Sequence, residues 1–426
     1  SSECGKWLKR KKLRIGKNKK RDGSSRFFAI SEKRIQAPPG SPGFIDDRYI
    51  AFREAMMEAK GKMVGYLETS IKSEAKSRIQ SGQFSSPSAK NPNKTVPPPS
   101  GADGGLSGVF DKAMKLLNIK LDKGLKENGH DPQAKEESAR RKAAAAAEKI
   151  LASRDFSELI EATAKNKLKG VFARYAFENI PPGTDGSVCV VAQYSSKSER
   201  LADAMAARDF SAVPRSRKKR APLELQVPAD DSDEGIQELL TAFGISVMLD
   251  ENGDYNIVSY AQAVIQDVNN DIMVEAAMGQ ANIRAEASIR RFVNESVVLR
   301  KNSETARSVK DFKDKMRTVT RSSAYMKQLE EKSEAFPING ILQIREWAAL
   351  HPVSEQGIAG AVVAWNASSA AEAITDKKRL NQIPADTGGK SQSSSGSDTI
   401  RRSTDRKAGA TGKSFRGGKK DSEEDF

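Results

Sequence analysis

The sequence predicts an α+β protein of two tandem homologous domains, each a β-hairpin, long helix, β-hairpin and short helix, with a helical insertion in the first and a disordered basic tail. Three observations carry that prediction. The chain is written twice; strand and helix periodicities succeed one another in the same order in both copies; and the segments outside them lose apolar character.

The duplication is clearest in the second hairpin and short helix. A stretch from Gly170, GVFARYAFENIPPGTDGSVCVVAQYSSKSE, aligns with one from Gly340, GILQIREWAALHPVSEQGIAGAVVAWNASSAAE. The alignment matches Phe177 with Trp347, Pro182 with Pro352, and Val190-Val191-Ala192 with Val362-Val363-Ala364, leaving two extra loop residues in the second copy. Ser196 with Glu199 and Ser369 with Glu372 then have capping-box spacing, in which a hydroxyl and a carboxylate satisfy orphan amides at a helix start.

Upstream the pattern repeats more than the identities. RFFAISEKRI from Arg26 resembles YNIVSYAQAVI from Tyr255, and each follows a turn signal, Asp22-Gly23 or Asn252-Gly253. The long helices follow. RYIAFREAMMEAKGKMVGYL from Arg48 and AAMGQANIRAEASIRRF from Ala276 space alanines four apart, at Ala51, Ala55 and Ala59 and at Ala277, Ala281 and Ala285. That spacing stacks small side chains on one face, which lets a helix lie close to a sheet.

These readings divide the chain into a basic leader at 1–21, a first repeat at 22–212, a basic and acidic linker at 213–235, a second repeat at 236–380 and a disordered tail at 381–426. Within the first repeat, 82–167 is a flexible loop followed by a helical insertion. Gly82 to Gly108 is too rich in Ser, Pro and Gly to offset the entropy of ordering. Beyond it, Phe110, Met114, Leu117, Leu121 and Leu125 mark an amphipathic helix ending at Asn128-Gly129, and a second helix starts near Gln133. A shorter charged insertion, from Ser303, occupies the second repeat. The 37% apolar and 6% aromatic content is low for 426 residues, as such segments require.

A net charge of +15 is concentrated in the leader, the linker and the tail. Lys9, Arg10, Lys11, Lys12, Lys19 and Lys20, with Arg217, Lys218, Lys219 and Arg220, are therefore the candidate contacts for a polyanion, either nucleic acid or anionic lipid. The group Arg284, Arg290 and Arg291 on the second long helix is a further basic surface or a solvated helical face. No paired-cysteine zinc pattern or aromatic ribonucleoprotein motif accompanies the charge.

Catalytic patterns are missing. The two histidines, His130 and His351, stand far apart in sequence, and no phosphate loop or dinucleotide fingerprint is present. Asp250 to Asp254 has alternate oxygen ligands, but its glycine falls too early for a calcium loop, so it reads as a hairpin turn. No catalytic residue, metal ligand or cofactor is nominated. Cys189 reads as a buried thiol in a strand, and a disulfide with Cys4 stays open for an oxidising compartment. No run reaches the roughly 18 apolar residues that span a bilayer. A chain starting at Ser1 fits a removed export signal, virion maturation or a fragment.

The strand, the alanine-spaced helix AFREAMMEAKGKMVGYL and the strand-helix unit VCVVAQYSSKSERLADAM resemble the small domain of bacterial outer-membrane lipoproteins and flagellar-assembly envelope proteins. The resemblance covers part of each half and implies a non-catalytic, periplasmic or outer-membrane-associated role in an assembly, with other proteins or further copies as partners. The expectation is thus a structural or interaction component of the bacterial cell envelope. The alternatives are a polyanion-binding or virion-associated protein and an enzyme with an interdomain site.

Overall fold

Gly170 and Gly340 mark the duplication in three dimensions. Both have positive φ, 71° and 77°, and at each a Cβ would run into the start of the short helix that follows: Ser198 O at 2.2 Å in the first half, the Ala370 backbone at 2.5 Å in the second. Only glycine combines that backbone with that approach.

The computed structural model describes residues 2–20, 23–80, 169–181, 185–304, 338–380 and 415–418, together with Ala145. Asp22, Pro182, the insertion helices from Phe110 and Gln133, the second insertion beyond Glu304 and the remainder of the tail lie outside the described residues.

The first half runs α1 (Glu3–Arg10), β1 (Gly16–Lys19), β2 (Ser25–Arg34), α2 (Phe44–Gln80), β3 (Phe172–Ile180), β4 (Ser187–Ser195) and α3 (Ser196–Ala207). After a short helix α4 (Leu223–Gln226), the second half repeats the order: α5 (Asp233–Thr241), β5 (Gly244–Leu249), β6 (Tyr255–Ile265), α6 (Asp271–Glu304), β7 (Ile341–Leu350), β8 (Gly357–Trp365) and α7 (Ala367–Leu380). A last strand, β9 (Phe415–Gly418), comes from the tail. Both sheets are antiparallel, ordered β1-β2-β4-β3-β9 and β5-β6-β8-β7. The fold is α+β with two similar tandem units.

Pairing fixes the correspondence more finely than the sequence does. Each β3-type strand carries a bulge, between Ala173 and Tyr175 and between Gln343 and Arg345. Aligning the bulges equates Ala192 with Val363 and Val191 with Val362, a shift of one from the sequence alignment, so the second copy has one extra loop residue rather than two. Faces agree: Val191 packs towards α1, whereas Val363 packs towards α6 on the other side of its sheet. A one-residue slip turns every side chain over.

The helix caps shift as well. Ser195, not Ser196, caps α3 in a box with Ser198, and Asn366 exchanges bonds with Ser369 at the start of α7, its Oδ1 accepting from the Ser369 amide at 2.7 Å and its amide donating to Ser369 Oγ at 3.3 Å. Glu199 instead accepts from the Tyr194 hydroxyl at 2.5 Å.

Each long helix covers its own sheet. Ala51, Ala55 and Ala59 of α2 and Ala277, Ala281 and Ala285 of α6 are all buried, as their spacing predicts. Sheet one lies between α1 and α2. Sheet two has α6 on one face, while its other face joins α2, α4 and α5 in a central cluster that includes Phe52, Leu223, Leu240, Phe243, Val258 and Val362. Part of the segment read as a linker is therefore packed, since Leu223 and Val227 are buried.

The leader is likewise built in. Cys4, Trp7 and Leu8 of α1 are buried against Phe28, Tyr175 and Val191, Trp7 stacks on Tyr175 with centroids 5.1 Å apart, and Cys4 forms a disulfide with Cys189. The free-thiol reading of Cys189 is thus corrected. The disordered-tail reading also needs amendment for 415–418, which pair antiparallel with Phe177 to Ile180.

Candidate functional site

A duplicated fold offers the junction between its halves as the natural place for a site, and here that junction holds a buried arginine. Arg48, on the first turns of α2, is fully inaccessible. Its Nε and Nη2 donate to the two oxygens of Glu178 on β3, at 2.5 and 2.6 Å. Nη2 also reaches the Leu240 carbonyl at 2.8 Å, and Nη1 reaches Gln262 Oε1 on β6 at 3.3 Å. Gln262 in turn donates to the Leu239 and Leu240 carbonyls at 3.0 and 3.1 Å. This network ties α2 and β3 of one half to α5 and β6 of the other, and the guanidinium lies over the Phe243 ring at 5.3 Å.

Aromatic packing closes the rest of the junction. Phe52 stacks on Phe243 at 5.5 Å, and Gly244, with φ 66°, admits the Phe52 ring where a Cβ would stand 2.6 Å from it. Phe44 meets His351 edge-on at 5.3 Å. His351 Nδ1 accepts from the Val353 and Ser354 amides at 3.4 and 3.2 Å, and burial, with the Arg48 charge adding to it, pushes its pKa down to about 2. The imidazole is neutral at ordinary pH, a turn acceptor rather than a base.

The candidate polyanion contacts fall in two separate places. Lys9, Arg10, Lys11 and Lys12 are exposed at the end of α1, with Lys19 exposed and Lys20 half-buried on the β1 hairpin. They form a cationic rim on the outer side of sheet one, anchored by the apolar residues of α1. Arg217, Lys218, Lys219 and Arg220 are exposed beside the β5-β6 turn, where Ser216 donates to the Gly253 carbonyl and the Arg220 amide to the Asp250 carbonyl, each at 3.0 Å. Asp250 spends its oxygens on the Asn252 and Asp254 amides and on Asn256, all at 2.9 Å; the loop is a hairpin turn. The structure brings neither run to the junction. An open pocket beside the disulfide is lined by Glu3, Glu32, Asn179 and Ser187 among others, and its two carboxylates disfavour a polyanion there.

Residues 106–207 match the model of a family described as a domain of unknown function, DUF6844. That stretch runs from the insertion through β3, β4 and α3. No curated protein sequence matches the chain. Among solved structures, the crystal structure of a hypothetical protein from Francisella tularensis is 16% identical over 85% of this chain and 88% of its own, with a TM-score of 0.42; so distant a likeness carries no argument here. No described helix is long and apolar enough to cross a membrane.

The arginines of α6 are not a solvated face. Arg284 donates to Asp46 at 2.9 Å and to the Gln262 carbonyl at 2.8 Å, Arg291 donates to the Tyr49 hydroxyl at 3.1 Å and Ser288 at 2.8 Å, and Arg290 pairs with Glu286 at 2.7 Å. Arg53 adds a bond to Tyr49 at 3.3 Å. Burial raises the Tyr49 pKa, but Arg291, Arg53 and Arg284 outweigh it and bring it down to about 7. Arg284 and Arg291 thus join α6 to α2, while Arg290 is held within α6. Sequence reading missed Arg48, Glu178 and Gln262 entirely, because their only shared signal is a contact across long sequence separations.

Proposed function

We propose that the chain is a non-catalytic interaction component of a bacterial cell-envelope assembly, acting outside the cytoplasm. The observation that carries this reading is the closed junction: Arg48, Glu178 and Gln262 satisfy one another and the Leu239 and Leu240 carbonyls where a duplicated enzyme would keep an open cleft with unspent polar groups. Such a network fixes the two halves as one body, which suits a part that must hold a shape for its neighbours. The Cys4–Cys189 disulfide supports an oxidising compartment, and the resemblance of the alanine-spaced helix to those of envelope proteins points the same way.

A second reading, polyanion binding, is favoured by the exposed Lys9 to Lys12 rim. Its mark would be an affinity that falls steeply with salt. The test of the main reading is fractionation of cells carrying a tagged chain, thiol alkylation before lysis, and formaldehyde cross-linking. Expected are an envelope fraction, an oxidised Cys4–Cys189 pair and cross-linked protein complexes. A reduced, cytoplasmic chain that cross-links only to nucleic acid would replace it with the second reading.

A further inference from the structure

We propose that copies of this chain associate head to tail, the β7 edge of one against the β1 edge of the next, in the manner in which β3 meets β5 inside the chain. This association rests on the assembly reading above, with a second copy of the chain as the partner. It starts from the internal junction, where β3 runs alongside β5, the Gly170 amide donates to the Phe292 carbonyl of α6 at 3.2 Å, and Phe172 belongs to the apolar cluster of the second half together with Ile245.

The duplication supplies the same surfaces again, once at each end of the molecule. By strand pairing, Phe172 corresponds to Leu342 and Ile180 to Leu350, while Ile245 corresponds to Ile15 beside β1. Burial splits them cleanly. Phe172 and Ile245 are 1% and 7% exposed, whereas Leu342 and Ile15 are 50% and 51% exposed; at the far end of the strands Leu350 is 51% exposed, where its counterpart Ile180 is paired with β9 instead. Among the described residues no strand pairs with the outer edge of β7 or of β1. An uncovered edge bearing large apolar residues is what a native sheet otherwise avoids, and the covering surface is already present on the opposite end of the same chain. Because the two surfaces differ, the contact is heterologous and generates a ring or an open filament.

The contact between copies is weaker than the one within. The positions of Arg48, Glu178 and Gln262 are taken by Val274, Ala348 and Glu32 at the two ends, so the buried charge network is not repeated. Apolar strand-edge contact alone makes a reversible association.

Sedimentation velocity of the full oxidised chain across a concentration series tests the proposal, using Leu342→Asp and Ile15→Asp, both at exposed positions and checked for an unchanged melting transition. Wild type is expected to grow through successive oligomers. Each variant alone loses one end and sediments as a monomer, its association weakened on the order of 100-fold by a charge forced into the contact. An equimolar mixture of the two keeps one good pair of ends and stops at the dimer. A wild type monomeric up to about 1 mM, oligomers that either variant leaves intact, or a mixture that stays monomeric would each overturn it. A monomeric chain that still cross-links other envelope proteins would leave the assembly reading in place, whereas head-to-tail growth of a cytoplasmic chain would do the reverse.

Discussion

The two halves cover the same sheet face in different ways. In the second, α5 and α4 put Leu223, Leu239 and Leu240 into the central cluster shared with α2. In the first, α1 rests on an outer face with a small cluster of its own, built around Cys4, Trp7, Leu8, Phe28, Tyr175, Cys189 and Val191. The inner helix is held by a large shared core, and the outer one is stapled by a disulfide. A helix of 8 residues is too short to be stable by itself, so position in the molecule decides whether covalent help is needed.

The largest loss of stability is expected at the shared core. Arg48→Ala leaves Glu178 buried without its counter-charge and should cost about 3–5 kcal/mol in urea unfolding. Replacing both residues by Met should recover most of that loss, because the desolvation of two ions is then avoided. If the single and the double variant melt alike, the network is not what joins the halves. At the outer face, Cys4→Ser should cost about 2–5 kcal/mol and disturb the Trp7–Tyr175 stack, so Trp7 fluorescence should change before the rest of the chain unfolds. Coincident transitions would place α1 in the same cooperative unit as the central core.

Much of this architecture is legible in the sequence, and the failures have physical causes. Gly170 and Gly340 announce the repeat because one steric need recurs at both. Alanine spacing reveals the helix faces because a close approach tolerates nothing larger. The strand register slipped by one because Val190-Val191-Ala192 and Val362-Val363-Ala364 are buried on both faces, and a strand covered on both sides loses the alternation that fixes register. The leader reads only as a basic run because its lysines and arginines outnumber Cys4, Trp7 and Leu8, the three residues that α1 buries. The Arg48–Glu178–Gln262 network has no local signal, and the Cys4–Cys189 disulfide stays an open alternative in sequence because two cysteines 185 residues apart declare no pairing.

The glycines sharpen the equivalence of the halves. Gly170→Ala and Gly340→Ala both force a side chain into positive φ and against the backbone of the next helix, so each should cost on the order of 3 kcal/mol from strain and overpacking together. Similar losses in calorimetry would show that both halves use the same joint. A loss at one alone would mean that the other helix can move away.

The smallest expected effect distinguishes the α2–α6 contact from the rest of the junction through pH. Tyr49 has its pKa lowered to about 7 by Arg291, Arg53 and Arg284 acting against burial, while an unfolded tyrosine keeps a value near 10. A depressed folded value means that the phenolate form favours the folded state. The stabilisation is complete above the unfolded value, grows as pH rises from about 7, and is lost as pH falls through 7. Between pH 7 and 8 the gain should be about 1 kcal/mol over Tyr49→Phe, which has no proton to lose. His351 works in the acid range: its folded value near 2 lies below the ordinary 6.5, so its contribution is present above 6.5 and declines as pH drops below that. Urea unfolding of wild type and Tyr49→Phe at pH 6, 7, 8 and 9 should give curves that diverge with rising pH, with a phenolate absorbance band appearing in the folded wild type over the same range. Parallel curves and no absorbance change would mean that burial, not the arginines, governs Tyr49.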